Sequence, residues 1–369
     1  MAGKSPIEWT GFTWNPVVGC SLKSPGCTNC YAMPLAARLE RMGNAPHYAG
    51  LTAETKAGPV FNGKVALAPD HILLEPLRRR KPTTWFVNSM GDLFHESVPD
   101  EWIDRVFAVM ALSPQHTFQV LTKRSARMRA YFEGRRNIFG RASNVLQELN
   151  HSFDEDAHQL AADRLDYFDS AGIAQNNVWL GVSAEDQRRA DERVPDLLAT
   201  PAAVRFVSAE PLLGPIDFTC LPDGVVDGIP IAFNALASVN HVAKCLDWII
   251  VGGESGPGAR PMHPDWARSI RDQCAAAGVP FFFKQWGAYR PEFPAYPAEY
   301  DIDGDDLLCS GLDFPAEGVL YRDGYFFNGL SHQPHVNAGA YWMELVGKKR
   351  AGRLLDGVLH DAMPARASA

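Results

Sequence analysis

The sequence predicts an α/β protein: a full or partial (β/α) barrel of parallel strands, with insertions and a C-terminal extension. Three observations lead there. Short apolar runs rich in β-branched and aromatic residues recur along the chain. Helical patterns separate several of them, and most runs end in a small cluster of polar residues or glycines. Continuous apolar runs belong to strands covered on both faces, and alternation of strand with helix marks a parallel sheet. About seven such units fit a barrel, whole or partial. The competing architecture is an open doubly wound sheet.

The elements follow in order. Residues 7–18 are aromatic, end in Trp14-Asn15-Pro16-Val17-Val18 and supply the first strand, which runs into a cysteine loop. Tyr31 to Met42 reads as a helix, with Leu35, Leu39 and Met42 at helical spacing and Gly43 as its stop. Residues 44–69 are rich in Gly, Pro and Ala and form an excursion; a short helix over 72–80 follows. Thr84-Trp85-Phe86-Val87-Asn88 is the second strand, with a helix over 100–112 behind it. Residues 117–122 are the third, followed by a basic helix through Met128 and Tyr131. Residues 178–183 are the fourth, and a charged helix begins after Ala184. Residues 204–208 are the fifth and 246–251 the sixth; a helix over 264–277 then stops at Gly278. Residues 279–283 are the seventh. The barrel core spans 1–287, with insertions near 44–69, 133–177 and 217–244, and 288–369 form the extension.

Composition excludes several classes. The chain has 369 residues, 46% hydrophobic and 21% charged, an ordinary globular mix. A net charge of −8 gives no overall pull toward nucleic acid. No apolar run approaches the ~18 residues of a membrane span, and residues 1–16 hold no apolar signal segment. Seven cysteines, an odd number unevenly spread, point to a reducing cytoplasm rather than a disulfide framework.

Three of those cysteines, Cys20, Cys27 and Cys30, fall within eleven residues as C-x6-C-x2-C. Pro25 and Gly26 supply turn chemistry between the first two. Three thiols this close on a loop point to a metal site. A [4Fe-4S] cluster needs only three cysteines and leaves one iron open, and the spacing favours it. A structural zinc needs a fourth ligand, such as His47, His95, Cys245 or Cys274. The bland alternative is three free thiols.

Ligands of parallel α/β folds sit at the carboxyl ends of the strands. The polar residues gather there: Asn88, Ser89 and Asp92; Thr122, Lys123 and Arg124; Ser183, Glu185 and Asp186; Ser208 and Glu210; Gly252, Gly253, Glu254 and Ser255; Lys284, Gln285 and Trp286. The cysteine loop lies at the same rim. For each residue the plain alternative is structural: Glu210 and Glu254 cap turns or pair with arginines, Lys123 and Arg124 begin a solvated helix, and Gly252-Gly253 only allow a tight turn. Glu210, Glu254 and Lys284 also suit acid–base work beside a purely structural metal.

These residues resemble a known group. Three cysteines in an early loop of a (β/α) scaffold look like a radical S-adenosylmethionine enzyme, although the common spacing there is C-x3-C-x2-C with an aromatic before the last cysteine, where this chain has Asn29. The chain is also similar to three-cysteine-motif proteins of phages and bacterial genomes. That likeness is carried by Trp14-Asn15-Pro16, the cysteine loop, residues 88–95, Val120-Leu121-Thr122-Lys123-Arg124, residues 209–215, Gly252-Gly253-Glu254-Ser255-Gly256, Phe283-Lys284-Gln285-Trp286-Gly287 and Gly347-Lys348-Lys349. It names a family without naming a reaction.

The first resemblance implies roles. Cys20, Cys27 and Cys30 would hold three irons, and the fourth would take the amine and carboxylate of S-adenosylmethionine. Asn88, Ser89, Met90, Gly91 and Asp92 would face that amine. Ser183 and Glu185 would suit the ribose or the carboxylate. Glu210, Gly252 and Gly253 would lie near the adenine, with Glu254 beside them. A reductant of flavodoxin or ferredoxin type would feed the cluster, and a 5′-deoxyadenosyl radical would abstract hydrogen. Tyr31, Cys245 and Cys274 are candidate radical donors. Basic clusters at Arg78–Lys81, Lys123–Arg129, Arg135-Arg136 and Lys348–Arg353 fit a nucleic-acid substrate undergoing repair or modification. Tryptophans and phenylalanines offer stacking surfaces. The opposing class is a non-enzymatic zinc module that binds nucleic acid or a protein.

Overall fold

The computed structural model describes residues 3–133, 176–226, 228–237, 244–294, 318–327 and 339–365. Seven parallel strands lie side by side in chain order: β1 (Phe12–Trp14), β2 (Thr84–Val87), β3 (Thr117–Thr122), β4 (Val178–Ser183), β5 (Val204–Ala209), β6 (Trp248–Gly252) and β7 (Phe281–Gln285). A doubly wound sheet reverses its strand order at a switch point. This one does not. Helices α1 (Ala32–Met42), α2 (Asp100–Ala111), α3 (Ser125–Glu133), α4 (Gln187–Ala199) and α5 (Pro264–Ala277) follow β1, β2, β3, β4 and β6. The predicted stops at Gly43 and Gly278 hold: both adopt left-handed φ, 68° and 69°, which a residue without Cβ does at no cost. The helix expected over 72–80 is two short ones, Asp70–Leu73 and Glu75–Arg78, because Leu74 leaves helical geometry and Pro76 restarts the chain in a first turn.

The sheet is curled. Strands β2 and β6 stand four places apart, roughly 19 Å in a flat sheet. Yet the Trp9 ring lies 4.7 Å from Phe86 of β2 and 6.1 Å from Trp248 of β6. One indole touches both only if the sheet rolls about its inner face. Phe206, Trp179, Ile250 and Phe282 complete this inner cluster. Gly181 makes room for it: a Cβ there would sit 2.5 Å from the Phe206 ring. The larger apolar cluster lies outside, between sheet and helices. Burial on both faces explains why the strand sequences are continuously apolar rather than alternating.

The roll is a half-barrel, since β7 and β1 are not hydrogen-bonded to each other. The C-terminal segment occupies the gap. Phe283 N–H donates to His360 O at 2.9 Å, Phe282 bridges Asp361, and the Trp248 indole donates to Ala362 O at 2.9 Å. Lys348 Nζ reaches Glu8 on the β1 side, 3.1 Å away. The other edge is covered by Gly3–Lys4, antiparallel to β1.

The insertion near 44–69 forms a hairpin, Thr52–Thr55 with Gly58–Phe61, packed on α1. The insertion near 217–244 contains a second hairpin, Leu221–Val226 with Ile229–Phe233. Most of the 133–177 insertion lies outside the described residues. Beyond 288, Tyr289–Pro294, Tyr341–Leu345, Gly318–Leu320 and Phe326–Phe327 make a four-stranded antiparallel sheet. Among the described residues, no helix is long and apolar enough to cross a membrane.

Candidate cofactor site at the cysteine loop

The cysteine loop leaves the carboxyl end of β1 and runs beside the exit of β2 in nearly bare backbone. Gly19 N–H donates to Met90 O at 3.0 Å, and Gly19 bridges Gly91. A Cβ on Gly19 would lie 2.2 Å from Lys64 O, and Gly19 has φ +92°, so both space and backbone require glycine. A Cβ on Gly91 would lie 2.9 Å from Gly19 O. Asn15 Oδ1 accepts from Met90 N–H at 2.9 Å and from the Ser89 hydroxyl at 3.1 Å. Asn88, held at φ 59°, accepts from Val17 N–H at 3.3 Å. Residues 88–91 therefore join two strand ends, and Met90 packs beneath α1. A single 3-10 turn, Pro25–Cys27, shapes the loop, and Cys30 N–H donates to Cys27 O at 3.2 Å just before α1 begins.

Charged side chains from three other strand ends brace it. From the end of β3, the buried Arg124 spends its donors here. Nη1 reaches Asp92 Oδ2 at 3.1 Å and Cys20 Sγ at 3.5 Å. Nη2 reaches Ser21 O at 3.2 Å and Ser21 Oγ at 2.9 Å, and Nε reaches Glu96 at 2.8 Å. Asp92 also accepts from Thr122 Oγ1 at 2.7 Å, Phe94 N–H at 3.0 Å and Lys123 N–H at 3.1 Å. From the end of β4, the fully buried Glu185 accepts from Gly26 N–H at 3.2 Å and from Arg193 at 3.0 Å. Arg193 also donates to Ser183 O at 2.7 Å. From the end of β6, Glu254 accepts from Asn29 at 3.0 Å and from Arg260 N–H, Nε and Nη2 at 2.9, 2.8 and 2.6 Å. Arg260 then donates to Pro25 O at 2.9 Å. Burial alone would raise both carboxyls. Lys123 and Arg193 bring Glu185 below its ordinary value, and Arg260 and Asn29 do the same for Glu254.

The remaining predicted residues also lie at the mouth. Glu210 accepts from Ser208 at 3.1 Å and pairs with Lys284 Nζ at 3.1 Å. Gly252 leaves space for that carboxylate, since a Cβ would sit 2.3 Å from Glu210 Oε1. Gly253 packs on backbone: its Cβ would lie 1.9 Å from Trp286 O. Tyr31 is 55% exposed, yet its hydroxyl donates to Ser89 O at 3.0 Å. Burial of that hydroxyl, with Cys30 and Glu210 as charged neighbours, raises its pKa. The ring thus faces the open mouth between the ends of β1, β2 and β5.

The three thiols are half-buried and unpaired as disulfides. Cys27 is the electrostatic neighbour of both Cys20 and Cys30. Burial pushes Cys20 up to about 12, with Asp92 adding to the rise and Arg124 opposing it; burial also raises Cys30. A metal that bound these sulfurs would take them as thiolates and replace the solvation they lose on burial. Among the described residues, no three His, Cys, Asp or Glu side chains close on a single ion. Of the expected fourth zinc ligands, His95 lies against the cysteine loop and the other three stand elsewhere. His95 Nε2 pairs with Ser21 Oγ at 2.9 Å, His47 packs on Tyr48, Cys245 precedes the amino end of β6, and Cys274 is buried on α5. A [4Fe-4S] cluster, in which each thiolate has its own iron, would need only the three cysteines.

The match to a protein-family model runs over residues 4–364. The chain belongs to DUF5131, a family described as protein of unknown function. No curated protein and no solved structure matches it. The family unit takes in the cysteine loop, all seven strands and the segment that fills the half-barrel's gap.

Sequence reasoning missed Asn15, Asn29, Arg193 and Arg260. It placed Arg124 at the rim and among the cations for phosphates, without its contacts to Asp92 and the cysteine loop. Most of the basic clusters are engaged internally: Arg127 pairs with Asp100, Arg129 with Glu133, Lys348 with Glu8, and Arg353 donates to Lys284 O. Arg135-Arg136 lie outside the described residues. Arg78, Arg79, Arg80, Lys81 and Glu75 line an open cavity of about 500 Å³ near the amino end of β2, away from the mouth.

Proposed function

We propose that this protein is a radical S-adenosylmethionine enzyme whose Cys20, Cys27 and Cys30 hold a [4Fe-4S] cluster with one iron open to S-adenosylmethionine. One observation carries the reading: three sulfurs on a loop at the carboxyl end of β1, braced from the ends of β3, β4 and β6 at the mouth of a parallel half-barrel. When bound, the cluster and S-adenosylmethionine supply a 5′-deoxyadenosyl radical. The protein's part is to fix the loop, exclude water and orient the ligand. Asp92, Glu185 and Glu254 fix the loop through Arg124, Gly26 and Asn29. Lys123 faces Cys30 and Glu185 with no carboxylate at ion-pair distance among the described residues, so its ammonium is available to an anionic group of the ligand. Tyr31, Glu210 and Lys284 line the rest of the mouth.

Anaerobic reconstitution with iron and sulfide tests this. The native chain should take up a cluster with its visible absorbance, Cys27→Ala should not, and the reduced protein should cleave S-adenosylmethionine to 5′-deoxyadenosine and methionine. Equal iron uptake by Cys27→Ala, or one colourless zinc per chain, would sink the reading. An electron donor of flavodoxin or ferredoxin type and a nucleic-acid substrate belong to the same proposal. Retardation of labelled DNA or RNA in low salt, lost in high salt, supports that substrate; none in low salt removes it.

A further inference from the structure

The buried guanidinium of Arg124 makes a contact that loop-fastening alone does not need. Two of its nitrogens are accounted for by the loop and its anchors: Nη2 serves Ser21, and Nε serves Glu96. Nη1 is shared between Asp92 Oδ2 and the sulfur of Cys20, 3.5 Å away. Asp92 and Arg124 are almost wholly enclosed, with side chains 7% and 2% exposed, whereas Glu96 is 55% exposed. A charged N–H donor is thus held against one sulfur by a buried carboxylate on one side and a solvated one on the other.

We infer that Arg124 is a positioning residue that tunes the reduction potential of the cluster through Cys20; the inference rests on the cluster assignment above. Reduction adds negative charge to the cluster, and hydrogen bonds and charges at its sulfurs shift the potential. A donated N–H and a nearby positive charge favour the reduced form and raise the potential. A carboxylate close by lowers it. Glu96 offsets the same guanidinium through Nε, so neutralising Glu96 leaves more of the Arg124 positive charge felt at Cys20, and the two side chains shift the potential in opposite directions.

The test is a redox titration, followed by electron paramagnetic resonance, of the reconstituted native protein and of Arg124→Gln, Arg124→Lys and Glu96→Gln, each checked for iron and sulfide per chain. Arg124→Gln should shift the midpoint negative, Arg124→Lys less so because charge remains, and Glu96→Gln positive. Glu96 is exposed, so its variant keeps the fold even if loss of Arg124 beside buried Asp92 prevents loading; the sign of its shift then decides. Fully loaded variants with the native midpoint, or Glu96→Gln shifting negative, would overturn the inference and leave the cluster assignment standing. A native protein that takes up no cluster would remove both.

Discussion

The brace from β6 makes a quantitative prediction about the loop. Glu254→Gln keeps the size of the side chain and removes its charge. Glu254 accepts four hydrogen bonds, three from Arg260 and one from Asn29. Its side chain is 5% exposed and that of Arg260 35%, so the pair lies between the buried and surface limits. Breaking a buried pair costs about 3–5 kcal/mol and a surface pair at most about 1. An intermediate loss of about 2 kcal/mol corresponds to about 30-fold in the opening equilibrium of the loop. The Cys27 and Cys30 amides are held only by carbonyls within the loop, so they exchange when it opens. Hydrogen exchange read by mass spectrometry should therefore speed about 30-fold in the peptide covering 21–31, while α2 exchanges as before. Native exchange in that peptide would refute the brace. Equal acceleration in α2 would show that Glu254 supports the whole fold rather than the loop.

Three further outcomes follow from packing and charge. Gly253→Ala drives a Cβ into the Trp286 carbonyl at 1.9 Å, whereas Gly181→Ala meets only the Phe206 ring at 2.5 Å. The first should exceed the ~1–3 kcal/mol of ordinary overpacking and the second fall within it, and equal urea midpoints would contradict this. Trp9→Ala removes the indole that spans the inner face, so about 3–5 kcal/mol should be lost; a thermal midpoint within a degree or so of native would deny it that role. His263 caps α5, with Nδ1 accepting from Asp265 N–H at 3.1 Å and Nε2 donating to Gly339 O at 2.7 Å. Burial holds its pKa below the ordinary 6.5, so its stabilisation is complete above that value and declines as pH falls below it. Asn also caps but does not titrate, so the stability advantage of native over His263→Asn should shrink from neutral to acid pH. An advantage constant with pH would be evidence against it.

The strands were legible because each is a short continuous apolar run, and burial on both faces of a curled sheet demands that. The curl was less so. It depends on Trp9, which lies outside any strand and meets Phe86 and Trp248 far along the chain. The hairpin of 221–233 had a signal that went unread, the Asp227-Gly228 pair between Val226 and Ile229. The cysteine loop was plain from spacing. Its braces were not, because Glu254 meets Asn29 across 225 positions and Glu185 meets Gly26 across 159. Spacing within a sequence cannot report such pairs.

The same residues explain why strand-end carboxylates read so readily as ligand contacts. A loop of eleven residues with one 3-10 turn leaves backbone N–H and C=O groups that its own fold cannot satisfy. At a barrel rim the partners within reach are the polar residues that end the neighbouring strands. Gly26 N–H takes Glu185, Pro25 O takes Arg260, and Ser21 O takes Arg124. A side chain engaged by several donors within the protein has little left for a ligand. Asp92, Glu185 and Glu254 are in that position, and their charge reaches the site through the loop they hold. Under the proposed function, ligand recognition would fall to the other residues at the mouth: Lys123, Tyr31 and the Glu210–Lys284 pair. Lys123 links the two groups, because its backbone N–H is fixed by Asp92 while its ammonium, which lowers Glu185, makes no ion pair among the described residues. The position of Lys123, the cation that the proposal assigns to an anionic ligand, would thus be set by Asp92, a carboxylate whose own oxygens are engaged within the protein.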